Sequence, residues 1–192
     1  EVFVRDLCDR HNIPWHVLRR TDGWGRDAHG NAQERMRDWR RTESLKLLSE
    51  LEGAADTLND DSPAAVVLGH HADDQLETVV LKCLRGVHIS NMYGMRWREG
   101  RFLRPLLGVS KKDLTAYLNG IGQEWREDSS NAETKYKRNR VRLELLPLLQ
   151  ELSGGALSAR VQALEEQSLQ LRALLDDSRE RHLSADAAWR RD

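Results

Sequence analysis

The chain has 192 residues, with 30 Lys/Arg against 31 Asp/Glu and a formal net charge of −1. That length fits one ordinary domain with a small appendage, and 39% apolar against 32% charged residues points to long, solvated helices around a modest core. No apolar run is long enough to cross a membrane as a helix, and the two cysteines, Cys8 and Cys83, make no CxxC pair, so zinc and dithiol motifs are excluded and buried free thiols are expected.

Residues 2–10 read as the end of a helix. His11-Asn12 turns the chain, and residues 13–18, Ile-Pro-Trp-His-Val-Leu, read as a short strand. Residues 21–31, with three glycines, form a loop. Residues 33–51 carry Met36, Trp39, Leu47, Leu48 and Leu51 at amphipathic-helix spacing. Residues 53–63 are a polar, acidic loop. Ala64-Ala65-Val66-Val67-Leu68-Gly69 is a continuous apolar run, suited to a parallel strand covered on both faces. Residues 73–85 follow as a helix whose core stripe is Leu76, Val79, Val80, Cys83 and Leu84, stopped by Gly86. Strand followed by helix argues for α/β architecture. Residues 102–107 read as a short strand, and Ser110 caps a helix through Leu118, with Asp113 closing a box-like pair. Residues 125–131 are a polar loop. Residues 136–146 read as a helix broken at Pro147, and residues 156–183 as one long helix.

Two constellations carry chemistry. The first is Gly69-His70-His71-Ala72-Asp73-Asp74-Gln75-Leu76-Glu77-Thr78, placed where a buried strand gives way to a helix. Ligands of open α/β sheets bind beyond the carboxyl ends of strands. Asp74 and Glu77 are three apart and share a helix face distinct from the Leu76/Val80/Cys83 stripe. Helix capping accounts for one Asp, but not for two His, two Asp and a Glu together; a divalent cation site is the other reading of such ligands. The second is Trp125-Arg126-Glu127-Asp128-Ser129-Ser130-Asn131 with Tyr136-Lys137-Arg138-Asn139-Arg140-Val141-Arg142. Lys135, Arg138 and Arg142 form one helix stripe, and Arg forks match phosphate or carboxylate oxygens. Between Arg96 and Arg142 stand 12 Lys/Arg and 6 Asp/Glu, so this stretch is +6 and the rest of the chain −7. Such local positive charge attracts phosphate backbones, or else is a solvated face.

Taken together these segments resemble the tRNA(Ile)-lysidine synthetase family. The resemblance lies in His70-His71-Ala72-Asp73-Asp74-Gln75-Leu76-Glu77-Thr78 with Arg85-Gly86, in Arg104-Pro105-Leu106-Leu107, in Trp125 to Asn131, and in Tyr136 to Arg142 followed by Leu145-Leu146-Pro147. Weaker similarity reaches back to Arg37 and Arg40, where Arg41 stands in place of the family's Tyr. It implies a doubly wound parallel sheet of the ATP-pyrophosphatase type over residues 1–130, followed by a helical segment, 131–192, that contacts tRNA. It further implies an ATP- and Mg2+-dependent ligase that adenylates C2 of the wobble cytidine of an isoleucine tRNA with a CAU anticodon and joins free lysine to it. Carried over onto this sequence, Asp74, Glu77 and His70 are catalytic, the first two around the lysine ammonium. Arg104, Lys135, Arg138, Asn139 and Arg142 bind tRNA, Arg37 and Arg40 are candidates for the cofactor, and no metal is held by side chains alone. The expected compartment is the cytoplasm, or an organelle's stroma or matrix, with no membrane and with a homodimer left open.

The family's phosphate loop, Ser-Gly-Gly-x-Asp-Ser, does not occur in these 192 residues; Ser153-Gly154-Gly155-Ala156 imitates only part of it. With Glu1 rather than Met first, the expectation is that the first strand and its loop precede this chain. Two rivals stand beside the ligase. One is a tRNA 2-thiocytidine synthetase-like enzyme, which needs paired cysteines. The other is a non-catalytic tRNA-binding remnant.

Overall fold

The computed structural model describes residues 1–20, 32–54, 64–128 and 136–189. They cluster into two units, Glu1–Val66 and Val67–Asp192. The first holds α1 (Val2–Arg10), a turn through Asn12 at φ 54°, and α2 (Ala32–Ala54). The second holds α3 (Ala72–Arg85), β2 (Arg98–Glu99), β3 (Phe102–Leu103), α4 (Lys111–Gly120), α5 (Lys137–Arg140), a π turn (Val141–Leu145), α6 (Leu146–Leu152) and α7 (Leu157–Trp189). The strand β1 (Val66–Val67) lies at the junction. The chain is therefore α/β, with a three-stranded sheet of order β1-β3-β2. β2 and β3 form an antiparallel hairpin with Arg98 opposite Leu103 and Glu99 opposite Phe102. Leu68 N–H donates to Leu103 O at 2.8 Å, which ties the chain after β1 to β3.

Local chemistry sets the helix ends. α3 carries Asp73 and Asp74 in its first turn and Lys82 and Arg85 in its last, complementing its dipole. It stops at Gly86, whose φ of 73° is open to a residue without a Cβ. Ser110 caps α4: its hydroxyl oxygen accepts Asp113 N–H at 3.1 Å, and the Asp113 carboxylate accepts its O–H at 2.6 Å. The core of the second unit is small. Among the described residues Val79, Val80, Phe102 and Val141 are its buried hydrophobics, and Glu77, Ser90, Arg104 and Ser168 are buried beside them. Polar pairing therefore shares with apolar packing the job of holding this unit together.

α7 docks on the second unit through three polar side chains. Glu165 accepts Gly94 N–H at 2.6 Å, Ser168 Oγ donates to Ile89 O at 2.6 Å, and Arg172 donates to Asn91 Oδ1 at 3.2 Å. No helix among the described residues is long and apolar enough to cross a membrane.

Several expectations need correction. Residues 13–18 are not a strand; a strand exists only through its partners, and Ile13 and Trp15, like Val17 and Leu18, are exposed. The apolar run at 64–69 contributes a strand of only two residues, and Val67 is 63% exposed rather than covered on both faces. After Leu103 the chain turns instead of extending to 107, because Pro105 cannot continue a ladder. Pro147 does not break its helix. It sits in the first turn of α6, and the π turn before it absorbs the missing N–H. Cys83 is exposed and Cys8 half-buried, so neither thiol is a core residue. The loop expected at 21–31 lies outside the described residues; of the loop expected at 53–63, residues 53 and 54 are the end of α2 and the rest lies outside the described residues.

Candidate active site

The His-His-x-Asp-Asp-Gln-x-Glu stretch forms the entry to α3 and ties it to the elements around it. Ala72 N–H donates to Val109 O at 2.9 Å, pinning the helix start to the turn after β3. Asp73 reaches out of its own helix and accepts Lys111 N–H at 2.7 Å, so it serves the N-terminus of α4. Asp74 turns back and accepts His71 N–H at 3.0 Å through Oδ2. The His71 ring lies 3.5 Å from that oxygen and 3.3 Å from Asp73. His70 sits half-buried between β1 and α3. Gln75 spans twenty residues and pairs with both main-chain groups of Met95, accepting its N–H at 2.5 Å and donating to its O at 2.9 Å.

Glu77 is the fullest departure from the sequence reading. Its face was expected to lie apart from the core stripe, yet Glu77 is wholly buried, while Cys83 and Leu84 of that stripe are exposed. The burial is supported by two arginines. Arg138 Nε donates to Glu77 Oε2 at 2.5 Å and its Nη2 to Asp74 Oδ1 at 3.0 Å. Arg142 Nε donates to Glu77 Oε1, and its Nη2 lies 3.9 Å from Asp74 Oδ1. The bond to Glu77 raises the pKa of Arg142 above its already high ordinary value and outweighs desolvation by burial. Two carboxylates thus face two guanidiniums, a locally neutral arrangement that a buried charge requires. The two constellations, more than sixty residues apart, meet in one cluster. Arg138 in α5 and Arg142 in the π turn that continues it are four residues apart, so one helical stretch brings both guanidiniums to the cluster.

The remaining predicted residues fall in different places. Arg104 is 4% exposed and is spent on the hairpin, donating to Arg96 O at 2.9 Å and to Glu99 at 2.8 Å. Asn139 is half-buried on α5. Arg37 and Arg40 are exposed on α2, in the first unit, with Arg40 bonded to Met36 O. Lys135 and residues 129–131 lie outside the described residues. Sequence reasoning missed Lys82, whose ammonium donates to Asn91 O at 2.9 Å and Tyr93 O at 2.6 Å and stands 4.6 Å above the Tyr93 ring. It also missed Glu165, whose pKa burial raises although Gly94 N–H and nearby Lys82 oppose the shift. A lysine on the flank of a motif helix was the one signal for the first; nothing in the pattern of α7 marks the second.

The partial motif Ser153-Gly154-Gly155 offers no seat for a phosphate. There the glycine N–H groups are already used, Gly154 donating to Glu151 O and Gly155 to Gln150 O, both at 2.9 Å. The motif is the C-terminal cap of α6, not a nest for an anion. Among the described residues no three His, Cys, Asp or Glu side chains come together as a metal site.

Comparison with known proteins covers most of the chain. A family model described as a PP-loop domain matches residues 1–149. The tRNA(Ile)-lysidine synthase of Chlamydia muridarum is 38% identical over 178 residues, 90% of this chain and 52% of that protein. That of Chlorobaculum tepidum is 30% identical over 177 residues, 92% of this chain and 50% of its own length. That of Bacteroides thetaiotaomicron is 34% identical over 154 residues, 80% of this chain and 34% of its own length. The chain thus spans from about a third to a half of these curated relatives.

Proposed function

The chain belongs to the PP-loop domain family, and from that premise we propose that it is catalytic machinery for the ATP-dependent attachment of free lysine to C2 of the wobble cytidine of an isoleucine tRNA with a CAU anticodon. The names of the three relatives above, each a tRNA(Ile)-lysidine synthase, support the reading. So does one observation from the structure, the convergence of Asp74 and Glu77 with Arg138 and Arg142 at the mouth of α3. In this reading the sheet is part of a doubly wound parallel one, the catalytic domain extends over residues 1–130, and residues 131–192 are the helical segment that meets tRNA. ATP with Mg2+ supplies the activation of the cytidine C2 oxygen. The described residues offer neither a glycine nest nor a carboxylate cluster for them, so the roles below concern this chain's side chains alone.

Glu77, buried and engaged through both oxygens, orients the two guanidiniums. Asp74 is more accessible, at 13%, and its contact to Arg142 is long at 3.9 Å. It is therefore the carboxylate that exchanges a guanidinium for the lysine ammonium, cation for cation, without leaving a buried charge unpaired. Arg142, about a third exposed and still held by Glu77 through Nε, then offers the Nη2 freed from Asp74 to a phosphate of tRNA. His70 takes the proton that the amine sheds on attack. Asn139 and Lys135 contact the tRNA backbone, Arg104 acts on it through the hairpin it fixes, and Arg37 and Arg40 face the nucleotide. The reaction belongs to the cytoplasm, or to an organelle's stroma or matrix.

The test is incorporation of labelled lysine into a CAU-anticodon tRNA transcript by the protein carrying this chain. ATP-dependent incorporation is expected, with Asp74→Asn raising the lysine KM more than it lowers kcat. No incorporation refutes the activity, and wild-type lysine kinetics in Asp74→Asn refutes the role given to that carboxylate.

A further inference from the structure

We propose that the hairpin at residues 96–104 is a stacking platform for an unpaired RNA base, with Trp97 as its face and Arg96 and Arg98 as flanking phosphate contacts. The segment reads Arg96-Trp97-Arg98-Glu99-Gly100-Arg101-Phe102-Leu103-Arg104, four arginines with one acid. Its single carboxylate is neutralised from below, since Arg104 donates to Glu99 at 2.8 Å. Arg96 and Arg98 are both exposed, Arg96 with its guanidinium 5.2 Å from the centre of the Tyr93 ring and Arg98 donating to Gly100 O at 3.4 Å, so the hairpin carries exposed cations before and after Trp97. Between them Trp97 leaves 58% of its surface in water. A single exposed aromatic residue is unremarkable on its own. What distinguishes Trp97 is an exposed arginine immediately before and after it in the chain and a backbone held at several points.

That backbone is held at three points. Arg104, itself 4% exposed, takes Arg96 O with its guanidinium and Trp97 O with its main-chain N–H, at 2.9 and 2.8 Å. The β2–β3 pairing holds Glu99 against Phe102, which is buried. Gln75 clamps both main-chain groups of Met95. A side chain carried on so fixed a backbone loses little freedom when it binds, which favours a flat ligand of weak intrinsic affinity. An exposed indole with neighbouring arginines in the chain suits a splayed-out nucleobase, the base stacking on the ring and the long arginine side chains reaching its phosphates round the hairpin edge. A duplex does not fit this surface, because its bases are already stacked and its deep groove is closed to side chains.

The platform also shares a frame with the acidic motif. Gln75 follows Asp74 in α3, and one residue separates Met95 from Trp97, at most about 7 Å of chain. A base held on Trp97 is thus referenced to the helix that carries Asp74 and Glu77. Identifying that base as one of the unpaired bases of a tRNA rests on the function proposed above; the stacking surface itself does not.

Titration of the protein carrying this chain with a short unstructured RNA oligonucleotide, and with a duplex of the same length, tests the proposal. Trp97→Ala should weaken oligonucleotide binding about 5- to 100-fold with an unchanged salt slope, while Trp97→Phe keeps most of the affinity. Arg98→Ala should lower the log–log salt slope by about 0.7. Duplex binding should not change in Trp97→Ala. Wild-type oligonucleotide affinity in Trp97→Ala, or an equal loss on the duplex, overturns the platform and leaves this face to a partner of another kind. Loss of oligonucleotide binding in a protein that incorporates no lysine upholds the platform and sinks only the ligase reading. Normal lysine incorporation with a neutral Trp97→Ala does the reverse.

Discussion

Replacing Glu77 by Gln probes the ion cluster most directly, because the change keeps the shape and removes one charge. Glu77 is fully buried and accepts from two guanidiniums. A hydrogen bond to a charged partner contributes about 1.5–3 kcal/mol, and removing one member of a buried pair costs about 3–5 kcal/mol. Here the arginines remain 37% and 34% exposed, so water and Asp74 take up part of their charge once Glu77 is neutral. We therefore expect a loss near the lower end, about 2–3 kcal/mol, read as a lower urea midpoint at unchanged slope. Arg138→Gln should cost less, about 1–2 kcal/mol, because Arg142 still serves Glu77. The double variant should fall short of the sum by about 1 kcal/mol or more, the signature of direct coupling. A Glu77→Gln protein as stable as the parent, or more stable, would falsify this account. Glu77 would then be a strained site kept for a ligand, with the arginines contributing nothing to its burial.

Three further outcomes are expected. Gly94→Ala should destabilise by about 1–3 kcal/mol in the same urea measurement, since a Cβ there would overlap the side-chain oxygens of Gln75 and Glu165. Burial raises the Glu165 pKa from its ordinary 4.5, so the stability its protonated form contributes is present below that pH and is lost as pH rises through the raised value. Melting curves of Glu165→Gln against the parent between about pH 4 and pH 7 should therefore show the variant gaining relative stability as pH rises and then levelling off; a constant difference would rule out a titrating Glu165. Ser110→Ala should cost about 1 kcal/mol through the lost cap of α4, and circular dichroism melts would show it.

How much of this could be read in the sequence depends on the range of the interaction that sets each feature. The ends of α3 and α4 were legible because their signals are local: Gly86 at a left-handed position, Ser110 three residues before Asp113. The motif residues were legible as chemistry but not as geometry. Helical spacing correctly put Asp74 and Glu77 near one another on α3. It could not show that Glu77 faces inward, because that orientation depends on Arg138 and Arg142, more than sixty residues away. The same two arginines were expected on a phosphate-facing stripe with Lys135. Periodicity does not tell an exposed cation from one that neutralises a buried carboxylate. Pro147 was misread because a proline's effect depends on the turn before it, and nothing in Val141-Arg142-Leu143-Glu144-Leu145 signals a π turn. Glu165 and Ser168 were invisible among the charges of α7 for the same reason, since their partners are main-chain groups of residues 94 and 89.

The π turn at Val141–Leu145 stores the register between the ion cluster and α6 as a count of residues rather than as a kind of residue. Relative to a regular helix it amounts to one residue too many, and one residue is about 100° of rotation. Deleting a single solvent-facing position such as Leu143, 46% exposed, would let the helix close to ordinary pitch and swing α6 about a quarter turn relative to Arg138 and Arg142. Every other side chain of the cluster could be kept in type. The helix from Lys137 to Leu152 therefore tolerates exchange of its letters far better than change in their number, and its length is itself a functional property of the molecule.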